Sequence, residues 1–245
     1  DAGYGEAMAA GAVAVSVGTV LGVLDAVLTG TATDYARGER SAIGKSVLAG
    51  PVAVGELGLA GDEQGDPQHH GGPGKAVHHY ARDHYAYWRS QLGDHPVLDV
   101  PGAFGENLST TGITENNVCL GDRVRIGGAV LRVSQGRRPC WKLGVRFGVP
   151  NMARRVLVSG RTGWYYAVEV PGVIAAGDDI VVIDRRFPDW PLNRLLHLVL
   201  RRGGSADEIR AALRLPLSTS WRGTLERRLA RGPAPDPTTA GDART

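Results

Sequence analysis

The chain has 245 residues, 42% of them hydrophobic and 22% charged, with 28 Lys+Arg against 25 Asp+Glu. This composition can build a buried core and excludes a globally disordered chain, and a formal charge of +3 is too small an excess to imply a nucleic-acid partner. Two cysteines, Cys119 and Cys140, exclude a disulfide-stapled scaffold and a Cys-rich zinc site, and fit a reducing, cytoplasmic compartment.

In chain order, residues 1–11 read as a flexible leader. The stretch from Ala7 to Leu24 carries no charge and has the length of a membrane helix, yet it is Ala/Gly/Val-rich and lacks a basic leader and a leucine run. It reads instead as a leader followed by a strand from Val15 to Leu24 buried on both faces, with no membrane span. Short β-rich runs ended by glycine then recur at Val52–Leu59, Val118–Ile126, Ala129–Ser134 and Ile180–Ile183, the texture of a barrel or sandwich. One helix is expected from Ala76 to Leu92, where Val77, Tyr80, His84, Tyr87/Trp88 and Leu92 recur at helical spacing.

After Pro188 the pattern turns helical. Leu192, Leu195, Leu196, Val199 and Leu200 form an amphipathic face that Gly203-Gly204 ends. Ser205 caps a second helix with Glu208 completing a capping box, Ile209, Ala212 and Leu213 facing inward. A third helix is expected from Ser220 to Leu229, and residues 232–245 read as a flexible tail. The fold class is therefore mainly β with α: a β-barrel domain over 12–187 and a small C-terminal helical module over 188–231.

Nucleotide motifs fail on their spacing. Gly44-Lys45-Ser46 would need glycine where Glu39 stands, and Gly74-Lys75 would need it at His69. Six of the seven histidines fall between His69 and His95, but His79 and His84 are five residues apart, which does not align two zinc ligands on a helix; His84 lies on the apolar stripe as a core histidine. The segment His70-Gly71-Gly72-Pro73-Gly74-Lys75 reads equally as an anion site before a helix N-terminus or as a tight turn. Phe104 to Thr110 reads as a hydrogen-bonding loop or a capped turn. Arg137, Arg138 and Lys142 surround Cys140 with positive charge, which favours thiolate and reads as a nucleophile or metal ligand ahead of a structural cysteine among surface arginines. Pro139 cannot donate to a ladder, so Cys140 is placed at a strand end or loop. Cys119 has no such company and reads as a packed apolar residue.

Taken together and in order, several segments resemble the MOSC family, in its stand-alone bacterial YiiM-like branch. They are Ser41-Ala42-Ile43 with Lys45, Gly55 to Gln64, His70 to Pro73 with Lys75, His84-Tyr85 with Tyr87-Trp88, Phe104 to Leu108, Gly121-Asp122, Arg137 to Leu143 and Gly163-Trp164-Tyr165. The helical C-terminus is also similar to that branch. The resemblance implies a MOSC-type β-barrel that binds the molybdenum cofactor, a molybdenum–molybdopterin group, with Cys140 ligating the metal. It implies that Lys45, Gly71, Lys75, Asn107, Arg137, Arg138 and Lys142 hold that cofactor, and an activity on N-hydroxylated bases. His70 or Glu106 would protonate the leaving nitrogen. Electrons would come from a separate flavin-type or other reductase, since nothing in the chain binds flavin or iron–sulfur clusters. Alternatives are a sulfur transferase carrying a persulfide on Cys140 and a non-catalytic cofactor carrier. The helical module is expected to shape the pocket entrance or a homodimer contact. The chain departs from the family pattern at Gly136, where proline is usual, and around Ala167, where a basic residue is common.

Overall fold

The computed structural model describes residues 16–66 and 71–231. The expected tails, and His70, lie outside these residues.

In chain order the strands and helices are β1 (Val20–Thr29), β2 (Thr33–Ala36), β3 (Glu39–Ser41), β4 (Ser46–Val47), β5 (Val52–Gly55), β6 (Gly58–Leu59), β7 (Val77–Ala81), α1 (His84–Leu92) and β8 (Leu108–Thr110). There follow β9 (Arg123–Ile126), β10 (Ala129–Gly136), α2 (Lys142–Arg146), α3 (Met152–Ser159), β11 (Trp164–Val170), β12 (Gly172–Ile174), β13 (Asp179–Asp184), α4 (Leu192–Val199), α5 (Ala206–Ala212) and α6 (Thr219–Ala230).

Seven strands close into a barrel in the order β13-β9-β10-β11-β7-β8-β1, with β13 pairing back to β1. Closure leaves the ring no free edge. Neighbours are antiparallel except β7 and β8, which run parallel. Period-two alternation fills the interior: in β10, Ala129, Leu131 and Val133 point inward while Val130, Arg132 and Ser134 stay half-buried. Leu24, Val124, Trp164 and Ile180 join them, each at most 1% exposed. Burial of a side chain of this size contributes about 1.5–3 kcal/mol.

β1 differs from the expected strand. It starts at Val20 and runs to Thr29, and only its second half, with Leu24 and Ala26 to Leu28, is buried. The reason is its pairing: its first residues serve β13, the middle β8 and the end β4, so it climbs from the barrel rim into the core. The expected run Val52–Leu59 is a hairpin of β5 and β6, and in Val118–Ile126 only β9 is strand.

The expected helix Ala76–Leu92 divides into β7 and α1. All five residues of β7 are buried, so the strand has no polar face and its apolar positions match a helical period as readily as any other. This also removes the expected helix N-terminus behind Lys75: Pro73–Lys75 is a single 3-10 turn running into β7.

The three C-terminal helices match their expected extents closely. Ser205 accepts from the Glu208 amide while the Glu208 carboxylate accepts from the Ser205 amide, both at 3.2 Å, completing the capping box. Leu196, Trp221 and Leu225 belong to the same apolar cluster as the barrel interior, so the helical module shares the barrel's core. Gly136 permits this approach: a Cβ there would lie 2.6 Å from Leu196 Cδ2 and 3.2 Å from Trp221 Cη2. The departure from proline at this position thus sits where the module docks.

Candidate functional site

A second aromatic cluster, outside the barrel, builds the floor of the site. Tyr80 stacks on Phe104 with centroids 4.0 Å apart, and Trp88 Nε1 donates to Tyr80 Oη at 2.7 Å. Leu143, Phe147, Met152 and Val156 of the α2–α3 region pack into the same cluster. Loop 102–107 and the turn carrying Cys140 are therefore held on one packed base.

Glu106 is part of that base and does not line the cavity. It is fully buried, and its carboxylate accepts from Tyr85 Oη and the Gly102 amide, both at 2.7 Å, and from the Phe104 amide at 3.0 Å. Such a carboxylate shapes a loop and cannot reach a substrate nitrogen, which corrects its expected role as a proton donor. Asn107 does line the cavity, but its side chain is committed: Oδ1 accepts from the His78 amide at 3.0 Å, and Nδ2 donates to Leu28 O at 3.1 Å and Asp62 Oδ2 at 2.8 Å.

The cavity has a volume of about 90 Å³ and brings together Lys45, Lys75, Asn107, Arg137, Cys140 and Lys142 from four separate stretches of sequence. Cys140 is a half-buried free thiol on the loop between β10 and α2. It also lines a larger cleft of about 1640 Å³ between the barrel and the helical module, so it stands where the two spaces join. Arg138 is exposed and faces that cleft, away from the inner cavity. Gly71 does not line either space.

The cavity is less cationic than its lysines suggest, because Asp62, Glu63 and Asp66 also line it. Lys45 Nζ is ion-paired to Asp62, both side chains under 10% exposed. Burial pushes the Lys45 ammonium down and the Asp62 carboxylate counters it. Lys142 Nζ donates to Arg40 O at 2.9 Å and lies 3.4 Å from Glu39 Oε2. Asp62 and Glu63 in turn accept from the amides of Gly30 and Ala32, each at 2.8 Å, which clamps their loop to the barrel. Ser134 Oγ lies 2.6 Å from Gly74 O and 3.0 Å from Tyr165 O, tying the Lys75 turn to β11.

Two buried polar atoms on cavity-lining residues have no partner among the described residues: Arg137 Nη1 and His78 Nε2. His78 Nδ1 lies 3.2 Å from Gly105 O, a pure acceptor, so Nδ1 carries the proton and Nε2 is left with a bare lone pair. Burial first, and the Arg137 guanidinium second, hold the His78 imidazolium well below the usual histidine range. Sequence reasoning missed His78, because its neighbours in the chain give no hint that β7 turns it toward Cys140's cavity. It also missed Asp62. An unpaired guanidinium nitrogen, a lone-pair nitrogen and a soft thiol around one space fit an anionic pterin bearing a sulfur-ligated metal; the chemistry of the donor set passes that test.

His79 and His84 are spent on structure. His79 bonds Tyr166 Oη at 3.1 Å and Thr110 Oγ1 at 2.7 Å; burial pushes its value down to about 3. His84 Nε2 meets Glu115 Oε2 at 2.7 Å, and Glu115 Oε1 accepts from the Gly163 amide at 2.7 Å. Gly163 has φ +72°, and a Cβ there would lie 2.4 Å from His79 O, so this junction requires glycine. Cys119 is buried with Sγ 3.5 Å from Pro188 O, and burial with the nearby Asp122 carboxylate pushes its thiol up to about 12. Among the described residues no helix is long and apolar enough to cross a membrane.

Comparison with known proteins agrees with this geometry. The MOSC domain profile matches residues 66–181, and the YiiM-like, 3-alpha helix domain profile matches residues 190–232. Protein YiiM of Escherichia coli (strain K12) is 38% identical over 211 residues, covering 86% of this chain and 94% of that protein. A crystal structure of YiiM from Escherichia coli superposes with a TM-score of 0.70 at 32% identity, covering 87% of this chain and 96% of that one. A protein named Reductase from Gibberella moniliformis (strain M3125 / FGSC 7600) is 37% identical over 194 residues; the match covers 79% of this chain but only 34% of that longer protein. With a closed seven-stranded barrel, the three-helix module and this extent of shared sequence, the chain belongs to the MOSC family, in its YiiM-like branch.

Proposed function

We propose that this protein is an oxidoreductase that binds a molybdenum–pterin cofactor and reduces N-hydroxylated bases or related N–OH compounds, with Cys140 as the protein's ligand to the metal. The observation that carries the reading is the place of Cys140: a free thiol at the junction of a polar inner cavity and an open cleft. The relative named a reductase supports the oxidoreductase class.

Arg137, whose Nη1 has no partner among the described residues, would hold the cofactor's phosphate, with Lys75 on the same cavity wall. His78, with Nε2 unpaired, would accept a hydrogen bond from the bound group. Tyr165 is half-buried and lines both spaces, beside Cys140. When bound, the cofactor supplies two-electron chemistry, in which R–NHOH with two electrons and two protons gives R–NH2 and water. Proton delivery to the leaving nitrogen falls in this reading to His70. The electrons come from a separate reductase of flavin or other type.

The test uses protein from a cofactor-competent host, a reduced viologen as electron donor, and 6-N-hydroxylaminopurine as substrate. Loaded wild-type protein is expected to form the amine, and Cys140→Ala to lose at least about a hundredfold in rate. Equal rates in the two proteins, or no amine from loaded wild type, overturn the proposal; a persulfide mass on Cys140 in metal-free protein would favour sulfur transfer instead.

A further inference from the structure

The cleft between the barrel and the helical module concentrates positive charge far beyond the average of the chain. Among the described residues, Arg138, Arg202, Arg210, Arg227, Arg228, Arg231 and Lys75 line it against Glu39 and Asp66. The walls thus carry a formal +5, whereas the whole chain carries +3. The inner cavity, by contrast, sets Lys45, Lys75, Arg137 and Lys142 against three acids.

Some of these arginines have structural work. Arg228 donates to the carbonyls of Leu198, Arg202 and Gly203, which locks α6 against the end of α4. Arg210 pairs with Asp207 at 2.6 Å, and Arg227 reaches Thr224 Oγ1 at 3.4 Å. The side chains of Arg138, Arg202 and Arg231 meet no carboxylate among the described residues, and all three are exposed. Arg138 comes from the Cys140 loop, while Arg202 follows α4 and Arg231 caps α6. Both halves of the molecule therefore direct unneutralised guanidinium groups into one space floored by Cys140. Trp141, beside Cys140, gives that space a flat apolar wall, one face of its indole covered by Arg37 at 4.4 Å from the ring centroid.

Resting on the proposed function, we infer that the cleft binds the anionic part of the substrate, so that the preferred N-hydroxylated base is one carrying a phosphate, a nucleoside monophosphate, with its base end at Cys140. A planar base is accommodated by Trp141 and Tyr165, and a dianionic phosphate by guanidinium groups at the cleft wall, which read phosphate through paired N–H donors. This gives the helical module its purpose: it supplies one wall of the substrate site.

The test compares three forms of one compound, 6-N-hydroxylaminopurine, its ribonucleoside and its 5′-monophosphate, in loaded protein with reduced viologen as donor. The monophosphate is expected to exceed the nucleoside about tenfold in kcat/KM at low salt, and to lose that advantage at high salt. In the double variant Arg202→Glu/Arg231→Glu the advantage should vanish while turnover of the free base stays within about twofold. A parallel measurement needs no cofactor: adenosine 5′-monophosphate should bind metal-free wild-type protein more tightly than adenosine does, by tryptophan fluorescence, and the double variant should abolish the difference. No preference for the phosphate form in either assay, or a preference that survives the charge reversal, overturns the inference. Reduction of no N–OH compound alongside selective nucleotide binding would sink the proposed reaction and leave the phosphate site standing. If the reversal slows turnover only with a protein reductase, the patch docks the electron donor and the inference is wrong.

Discussion

Asp62 offers the sharpest test of how the site is held. Its carboxylate accepts from the Gly30 amide and Asn107 Nδ2 and pairs with Lys45 Nζ, and both members of the ion pair are under 10% exposed. Asp62→Ala leaves the buried Lys45 ammonium without its ion-pair partner, and breaking a buried pair in this way costs about 3–5 kcal/mol. Lys45 already sits below its ordinary value through burial, so without Asp62 it is expected to give up its proton as part of the response. The double variant Lys45→Met/Asp62→Leu removes both charges and keeps the volume, and is expected to recover most of the loss, since an apolar replacement of a buried pair is often near neutral. Urea unfolding midpoints of wild type, the two single variants and the double variant form the cycle. A cost below about 1 kcal/mol for Asp62→Ala, or a double variant as unstable as the sum of the singles, would refute the pair as a buried structural unit and return Lys45 to the role of a free anion ligand.

Three further outcomes follow from particular contacts. His79 has a folded value of about 3 against an ordinary 6.5, so the unfolded chain takes the extra proton; this stability is complete above about pH 6.5 and falls as pH drops toward 3, by about 1.4 kcal/mol per unit, and His79→Gln should flatten that slope in urea midpoints at pH 7 and 5. Gly136→Val would drive a side chain into Leu196 and Trp221, and is expected to cost about 1–3 kcal/mol and to shift the Trp221 fluorescence; unchanged stability would show that the module is not pressed on β10. A thiol reagent applied to native protein should label Cys140 and leave Cys119, pushed up to about 12 by burial, until the chain unfolds; mass mapping that finds Cys119 labelled first contradicts the packing described.

The contrast between what the chain revealed and what it hid has a physical basis. Local devices were legible: the Ser205–Glu208 box depends on residues three apart, and the loop position of Cys140 follows from Pro139. His84 as a satisfied core histidine was legible too, though its partner Glu115 was not. The segment Val77–Ala81 matches a helical period in the sequence because a strand buried on both faces has no polar side to mark its own. Site chemistry was blurred for a different reason. Glu106 carries the same carboxylate whether it meets solvent or three donors, and only the packed loop 102–107 shows that its lone pairs are taken. In the same way, Lys45 and Lys142 look like free cations in the chain until the fold sets Asp62 and Glu39 beside them.

The most direct test of the central reading is the coordination of molybdenum in the purified holoprotein, read together as metal content, pterin content and the number of sulfur neighbours by X-ray absorption. Wild type should hold metal and pterin in equal amounts with one more sulfur neighbour than Cys140→Ser retains. An identical sulfur count in both proteins, or wild type that carries neither metal nor pterin from a cofactor-competent host, would contradict it.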